Sequence, residues 1–275
     1  MSALNPVPMS PALGAEVANL PLDALDDSLA PALRDALDEH LVLVFRDQDL
    51  SPSAQIRFTE YFGSVREHPL STRRHVEGYP SVLVLENRPG RRGAPNDYWH
   101  SDISHMASPP WVTVLHARTI PAGRGDTMFC NMYRALSNLS SGMREALTDR
   151  AALHSAEATM RRSRAESTDA RPISDDELPT PNAHPIIRVH PGTGKPLLFV
   201  NPHFTTQIVG MTPAESAPWL ETVYRAATTP ENVLRHRWRE GDVVIWDNRA
   251  VMHYAVRDYD ESMPRLMHRT TGYGP

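Results

Sequence analysis

The sequence predicts a mainly β fold with a few flanking helices, on three observations. Short apolar runs rich in β-branched residues recur along most of the chain: LVLVF, SVLVLEN, WVTVLHAR, PIIRVH, PLLFVN, DVVIWDN and RLMHRTTGY. Gly, Pro, Asn and Asp punctuate them, as they punctuate strands. Helical periodicity, by contrast, is confined to short stretches near the N-terminus.

Taken in order, SLAPALRDALDEH at 28–40 sets Leu29, Leu33 and Leu37 one helical turn apart behind Ser28, a suitable N-cap, and predicts an amphipathic helix. LVLVF at 41–45 reads as a buried strand. SPSAQIRFTEYFG opens a second helix, with Ser51 as cap, Pro52 in the first turn and Gly63 as its stop. Strands are then expected at 81–87, 111–118, 185–190, 196–201, 242–248 and 265–273. HPGTGKP is rich in turn formers and makes a hairpin of the 185–190 and 196–201 runs. Residues 157–184 are charged, rich in Ser and Pro and without period, which predicts a long loop or lid. Nothing repeats, and 1–275 reads as one elaborated domain.

Composition narrows the function. The chain has 275 residues, is 40% hydrophobic and carries a formal net charge of -5 with no long run of one sign. That balance leaves no electrostatic footprint for nucleic acid or an anionic membrane, so small-molecule partners are expected. No apolar run approaches the roughly 18 residues of a spanning helix. MSALNPVPMS has neither the basic nor the apolar region of a secretion signal, which predicts a cytoplasmic protein. Cys130 is the only cysteine, so a disulfide or thiolate cage within the chain is excluded and any metal must be held by His and carboxylate.

NDYWHSDISH, residues 96–105, concentrates such groups. On a strand, His100 and Asp102 at i and i+2 would project from one face. With a histidine from far along the chain they would make a two-His-one-carboxylate set, which leaves adjacent positions on a metal open. An HxD pair alone is common, and a second feature is needed. WDNRAVMHYAVRDYDESMPRLMHR at 246–269 provides it, with His253 followed by Arg265 and Arg269. If RLMHRTTGY is a strand, Arg265, Met267, Arg269 and Thr271 share a face. Two guanidinium groups on a buried face are costly unless an anion meets them, and a dicarboxylate would.

With PALGAEVANLPL, LVFRDQDLSP, FGSVREHP, GRGDTMFCNMY, HPIIRVHPGTGKPLLFVN and FTTQI added in order, the chain resembles the taurine dioxygenase family of Fe(II)- and 2-oxoglutarate-dependent oxygenases over nearly its whole length. The resemblance implies a double-stranded β-helix, or jelly roll, with His100, Asp102 and His253 as iron ligands. It implies Fe(II), 2-oxoglutarate and O2 as cofactor and co-substrates, with Arg265 holding the far carboxylate of 2-oxoglutarate beside Thr127. Arg269 would reach the anionic end of the substrate or support the co-substrate. His68, Asn96, Ile103 and Phe204 match substrate-contacting positions. HPLSTRRH lacks the family's tyrosine and brings Arg73 and Arg74 nearby, and the lid segment SAEATMRRSRAES is Arg-rich, so a larger or more polar acid competes with taurine. The implied reaction is oxidation, usually hydroxylation, of an unactivated C–H bond in a small sulfonate or carboxylate, with succinate and CO2 released. The alternative is the same chemistry, or desaturation or rearrangement, on a specialised-metabolite intermediate. A homo-oligomer, dimer or tetramer, is expected.

Two rivals use the same residues differently. A zinc hydrolase could use the three ligands, but hydrolysis needs no buried dicarboxylate site. A silent jelly-roll binding module would need neither the ligands nor Arg265. A halogenase is disfavoured because Asp102 is intact. His105, His184, His190 and His203 read as structural or surface groups, Trp99, Trp238 and Trp246 as core, and Asp97 and Asp247 as groups that orient ligands, with turn formation by WDN explaining Asp247 equally well.

Overall fold

The computed structural model describes residues 4–67, 74–89, 96–165, 174 and 178–274, apart from the side chains of 162–165. Its main feature is a large mixed sheet, of nine strands among the described residues. In spatial order they are Pro6–Pro8, Ala15–Val17, Val42–Phe45, Val243–Asp247, Val112–Thr119, Arg265–Tyr273, Tyr79–Asn87 and His75–Val76, with Ser64–Val65 pairing onto Arg265–Tyr273. Among the described residues only the Ala15–Val17 and Val42–Phe45 pair is parallel. The C-terminal strands therefore lie between strands from the first half of the chain, which is the crossover of a jelly roll. Opposite sits a three-stranded sheet in the order Val233–His236, Thr127–Asn131, Val251–Ala255. Asn182–Pro185, Ala151–His154 and Thr205–Ile208 form another, and Ile187–Val189 pairs with Pro196–Leu198.

The continuous apolar runs have a physical cause, since both faces of the large sheet are covered. Leu43, Phe45, Val112, Val114, Val243 and Ile245 point to one core with Leu33, Leu37, Phe58 and Phe62 from the helical layer. Val42, Val44, Leu115, Ala117, Val244, Trp246 and Met267 point to the other, with Phe129, Val251 and Met252 of the smaller sheet. Strand alternation thus assigns successive residues to two different cores. Phe45, Phe58 and Phe62 meet edge to face at 5.4 and 5.5 Å. Full burial of such side chains contributes roughly 1.5–3 kcal/mol each.

The strand expected at 265–273 is found as Arg265–Tyr273, and the hairpin around HPGTGKP pairs Ile187 with Leu198. Other expectations need correction. The first helix runs Ala30–His40 with Leu29 as its cap residue; Ser28 lies in a preceding 3-10 turn, where its N–H donates to Asp26. Ser51 does cap the second helix, its hydroxyl accepting from the Ala54 N–H, but that helix ends at Glu60. Gly63 serves a different purpose, because a Cβ there would strike the Tyr273 carbonyl of the strand it packs against.

Residues 157–184 are not a loop throughout. Glu157–Ala165 is a helix carrying an i,i+4 ion pair from Arg161 to Glu157 at 2.8 Å, and Asn182–Pro185 is a strand on Ala151–His154. Local ion pairing and backbone pairing hold these ends despite their polar composition. The 185–190 run is also split. Ile186 breaks the strand, donating its N–H to Arg150 O and accepting from the Phe199 N–H. Helices Met132–Asn138, Ser141–Leu147 and Pro213–Ala227 were not expected; Thr212 and Glu215 close the last with a capping box.

Candidate active site

His100 and His253 are set side by side by backbone pairing. The His100 N–H donates to His253 O at 3.0 Å, the His253 N–H to His100 O at 2.8 Å, and the rings lie 4.1 Å apart. The segment after His100 is not the strand that the i, i+2 argument assumed. It turns, with Ile103 at φ 38, a left-handed conformation that a β-branched residue adopts only when its surroundings force it. Asp102 lies in that turn, and its carboxylate faces the imidazoles. Asp102 Oδ1 lies 3.9 Å from His100 Nε2 and 3.8 Å from His253 Nε2. None of these contacts is a hydrogen bond, so three buried donor atoms face one shared point, and two imidazole nitrogens plus one carboxylate oxygen is a donor set that suits Fe(II). The Tyr98 carbonyl, 2.9 Å from His100 Nδ1, can only accept, so it fixes the ring proton there and leaves the Nε2 lone pair facing the shared point.

Burial pushes the His100 and His253 pKa values down, and Arg269 adds to this, so both imidazoles are neutral at physiological pH. Burial alone would raise the Asp102 carboxyl; the Arg269 guanidinium, the two imidazoles and the Thr113 hydroxyl outweigh it and hold Asp102 ionised. Thr113 Oγ1 donates to Asp102 Oδ2 at 2.7 Å.

The three residues open onto a cavity of about 640 Å³, which Asn96, Ile103, Thr127, Phe204, Arg265 and Arg269 also line. Arg265 and Arg269 share a strand face, as expected. Burial works against the Arg265 charge, and its Nε is buried without a hydrogen-bond partner among the described residues. A guanidinium so placed fits a carboxylate ligand. Beside it, Thr127 Oγ1 accepts from Trp238 Nε1 at 2.9 Å, which leaves the hydroxyl proton to donate elsewhere. Gly125 leaves the necessary room: at φ +72 it is left-handed, and a Cβ would lie 3.2 Å from Arg265 Nε. Arg269 is placed against Asp102, its Nη2 3.1 Å from Oδ1.

His68 and Arg73 lie outside the described residues. Arg74 turns away to Glu86 at 2.8 Å and is no cavity residue. His184 is structural, bonded to Met106 O at 3.0 Å. His105 and His203, expected to be structural or surface groups, also line the cavity. His203 stacks on Tyr98 at 3.8 Å and bonds Thr159 of the 157–165 helix at 2.6 Å. Trp238 and Trp246 are buried, Trp246 also facing the cavity, and Trp99 is partly buried.

Asp247 does not orient a ligand. It is buried against His190 Nε2 at 3.0 Å and against Arg249. Burial raises its pKa, but Arg249 and His190 together bring it down to about 2. Asp38, His190 and Asp247 are close enough to hold a cation, yet His190 has no lone pair to give. Its Nδ1 accepts from the Gly192 and Thr193 N–H groups, so its Nε2 carries the proton donated to Asp247. Sequence reasoning missed Tyr98, Thr113 and Asn248. Thr113 had a signal, since it interrupts an otherwise apolar inward row with Leu115 and Ala117.

No helix among the described residues is long and apolar enough to cross a membrane. The family model described as Taurine catabolism dioxygenase TauD, TfdA family matches residues 7–271. The chain is 34% identical to an alkylsulfatase of Acinetobacter baylyi, over 94% of this chain and 81% of that one. It is 32% identical to an alpha-ketoglutarate-dependent 2,4-dichlorophenoxyacetate dioxygenase of Cupriavidus pinatubonensis, over 96% of each. A crystal structure of a taurine dioxygenase from Burkholderia xenovorans superposes with a TM-score of 0.82 at 33% identity, covering 99% of this chain and 90% of that one.

Proposed function

The chain belongs to the TauD/TfdA family of Fe(II)- and 2-oxoglutarate-dependent dioxygenases, and we propose that it hydroxylates an unactivated C–H bond of a small organic anion, a sulfonate or a carboxylate, with release of succinate and CO2. As a member of that family it is an oxidoreductase that takes Fe(II), 2-oxoglutarate and O2. The observation that carries the finer reading is Arg265, a guanidinium whose buried Nε has no hydrogen-bond partner among the described residues, in the same cavity as the His100, Asp102 and His253 donor atoms.

In this reading His100, Asp102 and His253 hold the iron. The bound iron and 2-oxoglutarate supply activation of O2 and the oxidising power for the C–H bond. Arg265 grips the far carboxylate of 2-oxoglutarate through its planar fork, and Thr127 donates its free hydroxyl proton to the same group. Arg269, already beside Asp102, offers its remaining N–H groups to the substrate's anionic end. Ile103 and Phe204 form an apolar wall that orients the substrate and excludes water, with Asn96 at its polar edge; His68 is a further candidate contact on the sequence resemblance alone. Residues 1–275 act as one catalytic unit.

A second reading, an intermediate of specialised metabolism with a mostly apolar body, is favoured by Leu85, Met106, Leu115, Met160 and Leu178 along the cavity. The test is a panel of alkyl and aryl sulfonates, sulfate esters and carboxylates given to the anaerobically reconstituted enzyme before O2 is admitted, read by succinate release and product mass. Succinate release coupled to an oxygenated product from an anion supports the proposal. Coupled turnover of neutral compounds alone would sink the anionic class.

A further inference from the structure

Asp102 presents its two oxygens to different surroundings. Oδ1 faces both imidazoles and Arg269, while Oδ2 faces Thr113. Behind Thr113 the hydrogen bonding continues: Asn248 Nδ2 donates to Thr113 Oγ1 at 2.8 Å, and Trp246 Nε1 donates to Asn248 Oδ1 at 2.8 Å. All four residues are buried, Thr113 fully.

The polarity of each link is forced. An indole N–H can only donate, so the Asn248 amide must turn its oxygen to Trp246 and its NH2 to Thr113. The Thr113 oxygen is then an acceptor on that side, and its single proton is left for Asp102 Oδ2. The support is also rigid. Thr113 sits mid-sheet, in register with Trp246 on one side and Thr271 on the other. The WDN turn therefore has a use beyond chain reversal: Asp247 anchors His190 and Arg249, while Asn248 points the opposite way and fixes Thr113.

We propose that Trp246, Asn248 and Thr113 form a positioning relay that commits Asp102 to offering the metal a single oxygen, Oδ1, and so keeps an adjacent position free for the co-substrates. Without the Thr113 proton, Oδ2 loses its partner in a buried site and the carboxylate is free to rotate and meet the cation with both oxygens. The proposal rests on the three-residue iron site of the functional reading.

The experiment compares wild type, Thr113→Val, Thr113→Ser and Asn248→Ala in anaerobic Fe(II) binding and in the visible band formed with Fe(II) and 2-oxoglutarate, with melting of the metal-free proteins as a control. Valine keeps the shape of threonine without its hydroxyl; serine keeps the hydroxyl. Thr113→Val should bind Fe(II) about tenfold to a hundredfold more weakly, the range for lost partners of metal ligands, with a shifted or weakened band. Thr113→Ser should stay close to wild type, and Asn248→Ala should fall between. A purely structural role would lower the melting temperature without separating Ser from Val in the band. If Thr113→Val does not fold, Asn248→Ala is read against Thr113→Ser, and equal affinity and band in the two overturn the relay. Wild type that gives no band fails the iron-site reading and the relay with it; a wild-type band that Thr113→Val leaves unmoved fails the relay alone.

Discussion

Arg269 Nη2 lies 3.1 Å from Asp102 Oδ1, the same carboxylate oxygen that faces His100 and His253. A guanidinium and two imidazoles thus converge on one atom. Arg265, four residues earlier on the same strand, has no such carboxylate among the described residues and faces the cavity.

The two arginines should therefore separate kinetically. Arg265→Lys keeps the charge but loses the planar fork, and should raise the KM for 2-oxoglutarate about tenfold to a hundredfold, the equivalent of one charge-assisted hydrogen bond of roughly 1.5–3 kcal/mol. Arg269→Lys should instead raise the prime-substrate KM and the fraction of succinate released without product. Side-by-side KM measurements check this; a shift in the 2-oxoglutarate KM alone for both would make Arg269 a co-substrate residue.

Gly125→Ala tests the space beside Arg265. Its positive φ and the 3.2 Å approach of a Cβ to Arg265 Nε predict a higher KM for 2-oxoglutarate with prime-substrate KM unchanged. Equal KM values in mutant and wild type would show that Arg265 has room to spare.

Asp102→Ala and His253→Ala should fold but lose coupled turnover and Fe(II) binding. Each removes one of three donors, while the two apolar cores on either side of the large sheet need no metal to form. Circular dichroism of the metal-free variants is the check, and unfolded spectra would make the metal structural.

Acid should destabilise the metal-free protein well above the carboxylate range. His154 is fully buried, bonded to Ser104 Oγ at 2.9 Å, and burial lowers its pKa to about 3. An unfolded histidine titrates near 6.5, so between pH ~6.5 and ~3 the unfolded chain binds the extra proton. Stability from this group is complete above the unfolded value and falls as pH drops through that window, by about 1.4 kcal/mol per pH unit. Urea unfolding at stepped pH should show a shallower slope in His154→Gln; identical slopes would assign the acid sensitivity elsewhere.

His100, Asp102 and His253 could be picked out together because such donor types are rare together and lie in short motifs, and the structure brings their donor atoms within 4.8 Å of one another; the Arg265–Tyr273 strand was legible as an apolar run. The reason given for His100 and Asp102 was nonetheless wrong in mechanism. No strand runs through both: His100 sits in a single backbone bridge to His253 and Asp102 in the turn that follows, which no pattern of hydrophobicity announces. Thr113 and Asn248 stayed hidden because their partnership spans 135 residues and depends on which face of the sheet each meets. The 157–165 helix was missed because EATMRRSRA is strongly polar and shows no apolar stripe, although Arg161 pairs with Glu157 and Thr159 bonds His203.

The large sheet, with one core on each face, divides the consequences of substitution by residue parity. Along Val243–Asp247, changes at Val243 and Ile245 reach only the helical layer and should lower abundance and melting temperature together, leaving turnover per folded molecule intact. Changes at Val244 and Trp246 reach the cavity side. A saturation library scored separately for expression and for activity should therefore show a two-residue alternation in phenotype along the central strands, a beat that the uniformly apolar sequence conceals.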